Sequence, residues 1–463
     1  HIEKGVFKMK YIRFYLALFI AKCCYYGLRM FGKRASQHPG WLALGICPNF
    51  FELAPKAKLC IAVTGTNGKT TVANLLTDAL QESGLKVVSN REGANVDCGC
   101  ATNIVNSLTF FGKVKVDATV FEVDERFSRV TLPGICPDYL VVTDLFRDSL
   151  KRNAHPDYIF NIINTYCPNH THLILNADDL GSNLLKPNNK HTYFAVGKQE
   201  EDQNAYESLV MDHSICPNCH SQLKYQYRHY HHIGKTYCTK CGYESPCPDA
   251  LVEKIDAQNG QLYVNLHGNQ VAFPLMSDIL FNVYNQIAII TLLDVLGFEV
   301  AKIQNIFAKI HIPDSRLNQI DVNGTKVIQA MSKGQSCVSS SRTFDLVASK
   351  EGNKLVILVL DDAYDRKNSI EYWGWIYDTD YERLAKDNIK IVAPLGPRCY
   401  DHEVRLLLAG VPQDRIYAKS KELEAIDTLP LEEIDSIFIL YDTSTYHLSC
   451  EVKEKIIKRL EAK

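Results

Sequence analysis

The stretch Thr64, Gly65, Thr66, Asn67, Gly68, Lys69, Thr70 and Thr71 joins an apolar run at residues 58–63 to a helical pattern at 72–82. Its residue types suit one task, the holding of phosphate. Glycines let the backbone turn tightly and aim N–H groups at phosphate oxygens, Lys69 supplies a point charge for β and γ phosphates, and the Thr70 hydroxyl offers a ligand to Mg2+. The dipole of the following helix adds to the attraction. A generic phosphate loop has glycine five residues before Gly68, where this chain has Val63, so that pattern is only partly met. A second constellation is metal-like: Cys216 and Cys219 form one CxxC pair, Cys238 and Cys241 another, with eighteen residues between them. Four thiolates placed tetrahedrally at about 2.3 Å from Zn2+ make a closed site with no room for a catalytic water. Gly242 fits the tight turn that such a knuckle needs. Cys247, His220, His229, His231 and His232 lie nearby and read as solvent-facing polar residues rather than ligands.

These groups need a scaffold. Leu75, Leu76, Ala79 and Leu80 give the helix after the loop its apolar stripe, and further apolar runs follow at 86–89, 118–123, 139–143 and 172–176, separated by helix-sized segments such as 157–166. That alternation predicts an α/β fold: a central P-loop domain with a parallel sheet covered by helices on both faces. The texture changes to Cys, His, Tyr and Lys at about 211–248, which marks the four-cysteine zinc ribbon as an insert. Residues 251–275 read as a hairpin turning at Asn259 and Gly260, and helical patterns resume over 282–310. Apolar runs at 355–360, 390–392 and 436–440 predict a smaller, Rossmann-like α/β domain. The expected division is 1–57, an amphipathic segment packed on the central domain; 58–312, the central domain; and 313–463, the C-terminal domain.

With 463 residues, 46% hydrophobic and 22% charged, the chain has material for two or three cores. A formal charge of −2 gives no general attraction for a polyanion and argues against nucleic acid as a partner. Sixteen cysteines, mostly within apolar stretches, point to reduced thiols in the cytoplasm rather than to a disulfide framework. The apolar and basic segment 11–31 imitates a targeting sequence. Its uninterrupted run, 14–21, is far shorter than the roughly 20 residues of a membrane span, and Arg13, Lys22 and Arg29 interrupt its surroundings. It reads as an amphipathic helix packed on the next domain, with a helix resting on the inner face of the plasma membrane as the alternative.

The TGTNGKTT form of the loop resembles that of Mur ligases and folylpolyglutamate synthases. Residues 90–95 (NREGAN), 121–125 (FEVDE), 141–147 (VVTDLFR), 175–179 (LNADD) and 282–285 (NVYN) resemble the Mur ligase family, and within it the MurT branch, from about Gly27 to Leu448. The resemblance implies ATP as nucleotide, held by the loop from Gly65 to Thr71. It implies Glu122, at a strand end facing the crevice beyond the sheet, as a Mg2+ ligand beside Thr70. Asn282 and Asn285 resemble the pair that meets the nucleotide base, and Arg316 the interdomain arginine that reaches the phosphates, although its neighbours Ser315 and Asn318 depart from the usual Gly and Glu. The ribbon is implied to be structural.

The implied reaction is transfer of the γ phosphoryl group to the α-carboxylate of D-glutamate in the lipid II stem peptide, followed by attack of ammonia. No cysteine here sits in a nucleophile elbow, so ammonia requires a partner, implied to be a GatD-type glutamine amidotransferase in a heterodimer. Residues 375–382 (WIYDTDYE) resemble the segment that completes the partner's site, which points to Asp378, with Asp365 as the other choice. The chain departs from the family at 331–335 (MSKGQ), where Asn, Pro and Gly are usual, and at Lys151, where an acid is usual. Two alternatives stay open: a peptide-adding ligase acting on a UDP-linked precursor, for which 57 leading residues are short, and a nucleotide-binding scaffold that has lost ligase chemistry.

Overall fold

The computed structural model describes residues 2–91, 94–148, 155–200, 202, 208–310, 317–332, 335–361 and 373–462, the side chains of 2–9 and 317 excepted. Two compact units divide the chain. The first takes residues 1–146, 156–206 and 213–312; the second takes 147–155, 207–212 and 313–463.

In the first unit, helices α1 (Ile2–Met30), α2 (His38–Ile46) and α3 (Phe50–Leu53) precede strand β1 (Leu59–Thr64). Phe14, Ala17, Leu18 and Ala21 of α1 are fully buried with α2, α3 and the sheet, and the Phe14 and Phe50 rings stack at 5.2 Å. The chain continues through α4 (Lys69–Glu82), β2 (Val87–Ser89), α5 (Asp97–Ser107), β3 (Ala118–Glu122), α6 (Ser128–Ile135), β4 (Tyr139–Val142), α7 (Pro156–Tyr166), β5 (His172–Asn176), α8 (Leu180–Asn183) and β6 (His191–Val196). Next come the hairpin β7 (Lys224–Tyr230) and β8 (Ile233–Tyr237), then β9 (Ala250–Asp256), β10 (Gln261–Leu266), β11 (Asn269–Pro274), α9 (Leu280–Val295) and α10 (Val300–Phe307).

The sheet of the described residues has nine strands in the order β11-β10-β9-β6-β5-β4-β1-β3-β2. Pairing is parallel from β2 to β9 and antiparallel at β9–β10 and β10–β11. The turn at Asn259 and Gly260 joins β9 to β10 as expected, and a second turn at His267 and Gly268, not foreseen, adds β11. Strand β1 runs between β3 and β4, so the chain leaves its C-terminal end with a helix on one side and returns on the other. Ligands of open parallel sheets bind in the crevice opened at such a switch point.

The second unit has a five-stranded sheet of β12 (Leu317–Val322), β13 (Thr325–Met331), β14 (Lys354–Val359), β15 (Ile389–Pro394) and β16 (Ser436–Tyr441), ordered β12-β13-β16-β14-β15. Only β12 is antiparallel to its neighbour. Helices α11 (Cys337–Ser349), α12 (Cys399–Leu408), α13 (Glu422–Thr428) and α14 (Tyr446–Glu461) cover it, with one apolar core on each face. Strands β14 and β16 are buried along their whole length, as parallel strands covered on both faces must be.

Candidate active site and metal centre

The phosphate loop hangs between β1 and α4, and its shape is fixed by glycines. Gly65 has φ +132° and Gly68 φ +78°; a Cβ on Gly65 would lie 2.2 Å from Thr143 Oγ1, and one on Gly68 2.3 Å from Asn285 Oδ1. The end of β4 ties the loop down. The Thr66 N–H donates to the Asp144 carbonyl at 2.8 Å, the Asn67 N–H donates to Asp144 Oδ1 at 2.7 Å, and the Thr66 hydroxyl donates to the Phe146 carbonyl at 3.0 Å.

Lys69 opens α4 and is buried. Its Nζ donates to the Gly65 carbonyl at 2.6 Å, to the Thr66 carbonyl at 3.2 Å and to Glu125 Oε1 at 2.8 Å. Glu122 ends β3 beside it, in register with Val63 of β1. Asn90 brackets the Glu122 backbone, donating to its carbonyl and accepting from its N–H, both at 2.8 Å. Glu122 Oε1 accepts from the Thr70 hydroxyl at 2.8 Å and from Asn95 Nδ2 at 3.2 Å. Two oxygens that close match neighbouring vertices of the octahedron that Mg2+ requires at 2.0–2.1 Å, so Thr70 and Glu122 fit as its ligands.

The structure thus gathers Gly65, Thr66, Asn67, Gly68, Lys69, Thr70 and Glu122, with Thr71 on the first turn of α4. Asn285 touches the loop at Gly68, whereas Asn282, three residues earlier on α9, donates to Ser277 Oγ at 3.2 Å. Arg316 and Asp365 lie outside the described residues. Asp378 belongs to the second unit, where its half-exposed carboxylate lies 3.5 Å from the Arg147 guanidinium, itself paired with Asp212. Sequence reasoning missed Glu125, Thr143 and Asp144 as loop-holding groups, and Asn90 and Asn95 as the holders of Glu122. All five stand inside the stretches that carried the resemblance; a polar side chain at the C-terminal end of a parallel strand was the available signal.

The four cysteines also converge. Cys216 and Cys241 Sγ are 3.5 Å apart, as are those of Cys219 and Cys238, and all four lie within 4.8 Å of one another. The described cysteines are free thiols. The two knuckles repeat one geometry: the His220 N–H donates to the Cys216 carbonyl at 3.0 Å and the Gly242 N–H to the Cys238 carbonyl at 3.1 Å, with φ +59° and +75° at these two residues. The amides of Cys241 and Lys240 pull the Cys238 thiol down to about 6. Sulfurs about 2.3 Å from a tetrahedral Zn2+ stand under 4 Å apart, so this set fits the metal.

One expectation fails here. His231 and His232 are fully buried and His229 nearly so, because β7 and β8 fold back onto the LNADD turn after β5. His229 stands between Asp202 Oδ1 at 2.8 Å and the Val196 carbonyl at 3.0 Å; burial opposes its charge, but the Asp202 bond and the nearby Asp178 raise its pKa. His232 Nε2 lies 3.3 Å from Asp179 Oδ1, and Asp179, His213 and His232 form a second group of donors within 4.8 Å. The histidines thus seat the ribbon on the sheet.

A cavity of about 540 Å³ opens beside α1, α4, β2 and α5, lined among others by Tyr25, Tyr26, Asn90 and the cations Arg29, Arg91 and Lys115.

A parallel sheet with a phosphate loop at its switch point, a carboxylate and a hydroxyl placed for Mg2+, and a second α/β unit define an ATP-dependent ligase of the Mur type. The profile of the Mur ligase middle domain matches residues 63–230 and that of the MurT ligase C-terminal domain residues 336–446, so both parts of the chain are similar to Mur ligases. Relatives that match over most of its length are MurT subunits. It is 28% identical over 403 residues to the lipid II isoglutaminyl synthase (glutamine-hydrolyzing) subunit MurT of Staphylococcus aureus strain COL, covering 86% of this chain and 89% of that one. To the MurT subunit of Streptococcus pneumoniae R6 it is 25% identical over 450 residues, 96% and 97% of the two chains. The pseudomurein peptide ligase type C of Methanothermus fervidus shares the fold, with a TM-score of 0.67 at 18% identity over 89% of this chain and 81% of the other.

Proposed function

We propose that this protein is the synthetase subunit of a lipid II isoglutaminyl synthase, making D-isoglutamine in the stem peptide during peptidoglycan synthesis. The observation that carries the reading is the buried Lys69 ammonium at the head of α4 beside the Thr70–Glu122 pair, in a chain whose near full-length relatives are MurT subunits. An oxygen of the D-glutamate α-carboxylate attacks the γ phosphorus of ATP and ADP leaves, giving an acyl phosphate; ammonia then attacks the acyl carbon and inorganic phosphate departs. Lys69 exchanges Glu125 for phosphate oxygens and stabilises the charge that develops during transfer, while the loop amides and Asn285 hold the nucleotide. Mg2+ held by Thr70 and Glu122 would supply further neutralisation.

The ammonia comes from a GatD-type glutaminase in a heterodimer, with Asp378 offered to its site. Zn2+ in the four-cysteine ribbon is structural. The basic cavity beside α1 suits a substrate that carries phosphates and a membrane-linked tail, and the place of work is the cytoplasmic face of the membrane.

The test is Lys69→Ala in the complex with the glutaminase, supplied with lipid II, ATP, Mg2+ and ammonium. Amide formation is expected to vanish in a variant that remains folded by circular dichroism, although the loss of the buried partner of Glu125 lowers its melting temperature; full amidation by the variant overturns the assignment. A wild-type complex that binds ATP and never forms amide favours the scaffold, and turnover of a UDP-linked precursor in place of lipid II favours the peptide-adding ligase.

A further inference from the structure

Helix α1 has two apolar faces, and only one is used by the fold. Phe14, Ala17, Leu18 and Ala21 fill the core. On the opposite side Ile12, Leu16, Phe19, Cys23, Tyr26 and Met30 form an exposed stripe at alternating intervals of four and three residues, with Ile12 60%, Leu16 52%, Phe19 54% and Met30 77% exposed. At 3.6 residues per turn this spacing keeps one line along the helix. Phe110 extends the stripe sideways: its ring stacks on Tyr26 at 5.8 Å and meets Phe19 edge-on at 6.0 Å, and Phe111 beside it is 82% exposed. Solvent-facing aromatic and aliphatic groups in a row this long mark an interaction surface.

The charge around the stripe says what covers it. Residues 4–51 contain no Asp or Glu, but they contain Lys10, Arg13, Arg29, Lys33 and Arg34, all exposed. Arg13 and Arg29 leave the helix on opposite flanks of the stripe, and Lys113 and Lys115 follow Phe111. In a chain of net charge −2 this is a strong local excess. A symmetric helix pair formed through the stripe would set these cations against each other with no carboxylate between them. No helix of the described residues is long and apolar enough to cross a membrane. An apolar stripe flanked by Arg and Lys is instead the pattern of a helix lying in the interface of an anionic bilayer.

We propose that α1, with the Phe110–Phe111 turn, docks this protein flat on a bilayer containing anionic phospholipid, the stripe entering the headgroup boundary and the cations meeting lipid phosphates. The proposal stands on this surface alone and not on the ligase reading. The experiment is co-sedimentation of the full chain with vesicles of phosphatidylcholine, with and without phosphatidylglycerol, in the absence of ATP and substrate. Binding is expected to favour the phosphatidylglycerol vesicles by about tenfold or more, to weaken with salt, and to fall by about tenfold or more in the double variant Leu16→Glu, Phe19→Glu. Far-UV circular dichroism and retained nucleotide binding check that the variant is folded. Wild-type protein that stays in the supernatant, or a folded double variant that binds as well as wild type, overturns the proposal. So does a dimer in sedimentation velocity that the double variant dissolves while neither protein binds vesicles, which would give the stripe to a second copy. Lys69→Ala protein is expected to bind vesicles as wild type does, so failure of the ligase reading leaves this result readable.

Discussion

At the residue scale the proposed nucleotide site depends on backbone amides held in place by neighbouring side chains. Asp144 and Thr143 reach across from β4 to the loop, Asn90 locks the backbone of Glu122, and Glu125 keeps the Lys69 ammonium paired inside the unit. Desolvating a lysine is costly unless its charge is met, and here one carboxylate and two carbonyls meet it. Gly68 shows how little tolerance remains. Its φ of +78° disfavours any other residue, and an added methyl group would lie 2.3 Å from Asn285 Oδ1. Gly68→Ala is therefore expected to cost the loop about 1–2 kcal/mol. That amounts to a roughly 5- to 30-fold weaker affinity for ATP and Mg2+, measured by calorimetry on a variant that melts within a few degrees of wild type. Unchanged affinity would show that the loop reshapes around ligand and that the Asn285 contact does not matter.

At the scale of elements, the ribbon and the second unit each carry a titratable or metal-dependent anchor. The knuckles of the ribbon pack Cys216, Cys238 and Leu223 against Leu180 of α8, so metal bound there also secures this part of the first unit. One zinc per chain is expected, lost in Cys216→Ser together with hydrogen-exchange protection of β7 and β8. Elemental analysis finding none in the wild-type protein would remove the metal, and a second equivalent that survives Cys216→Ser would belong to Asp179, His213 and His232. In the second unit, His402 of α12 is buried between the Tyr381 hydroxyl, 2.5 Å from Nδ1, and the Leu360 carbonyl, 3.1 Å from Nε2, with the Trp373 and Trp375 rings beside it. Burial pushes its pKa down to about 4. The unfolded chain then takes up the proton first. This contribution to stability is complete above about pH 6.5 and is lost as pH falls from there toward 4, by about 3 kcal/mol in all. The difference between wild type and His402→Gln in urea melts followed by tryptophan emission is expected to shrink over that range; a pH-independent difference would mean that His402 titrates normally.

At the scale of the whole molecule, the proposed amidation draws its ammonia from a partner glutaminase, and Asp378 is the group on this chain proposed to reach that partner's site. Its carboxylate is half-exposed near Arg147, which ties it to the Asp212 segment of the same unit. Asp378→Asn is expected to leave ammonium-driven amidation within about twofold of wild type while glutamine-driven amidation falls by at least about tenfold. A loss of both activities alike would place Asp378 in this chain's own chemistry, and a loss of neither would turn attention to Asp365.

The sequence by itself determined whatever local pattern can encode. The strand, loop and helix around Lys69, the α/β alternation and the two CxxC pairs all depend on neighbours within a few residues, or on spacing that a single hairpin closes. Only the tertiary structure decided which polar residues become buried partners. Asp144 and Glu125 hold the loop from strands distant in sequence, and His229 and His232 turn inward because the ribbon hairpin folds back on the turn after β5. A histidine-rich stretch looks solvated in one dimension; it becomes an anchor only when carboxylates from residues 178–202 meet it in the dry interior, where an unpaired polar group is costly.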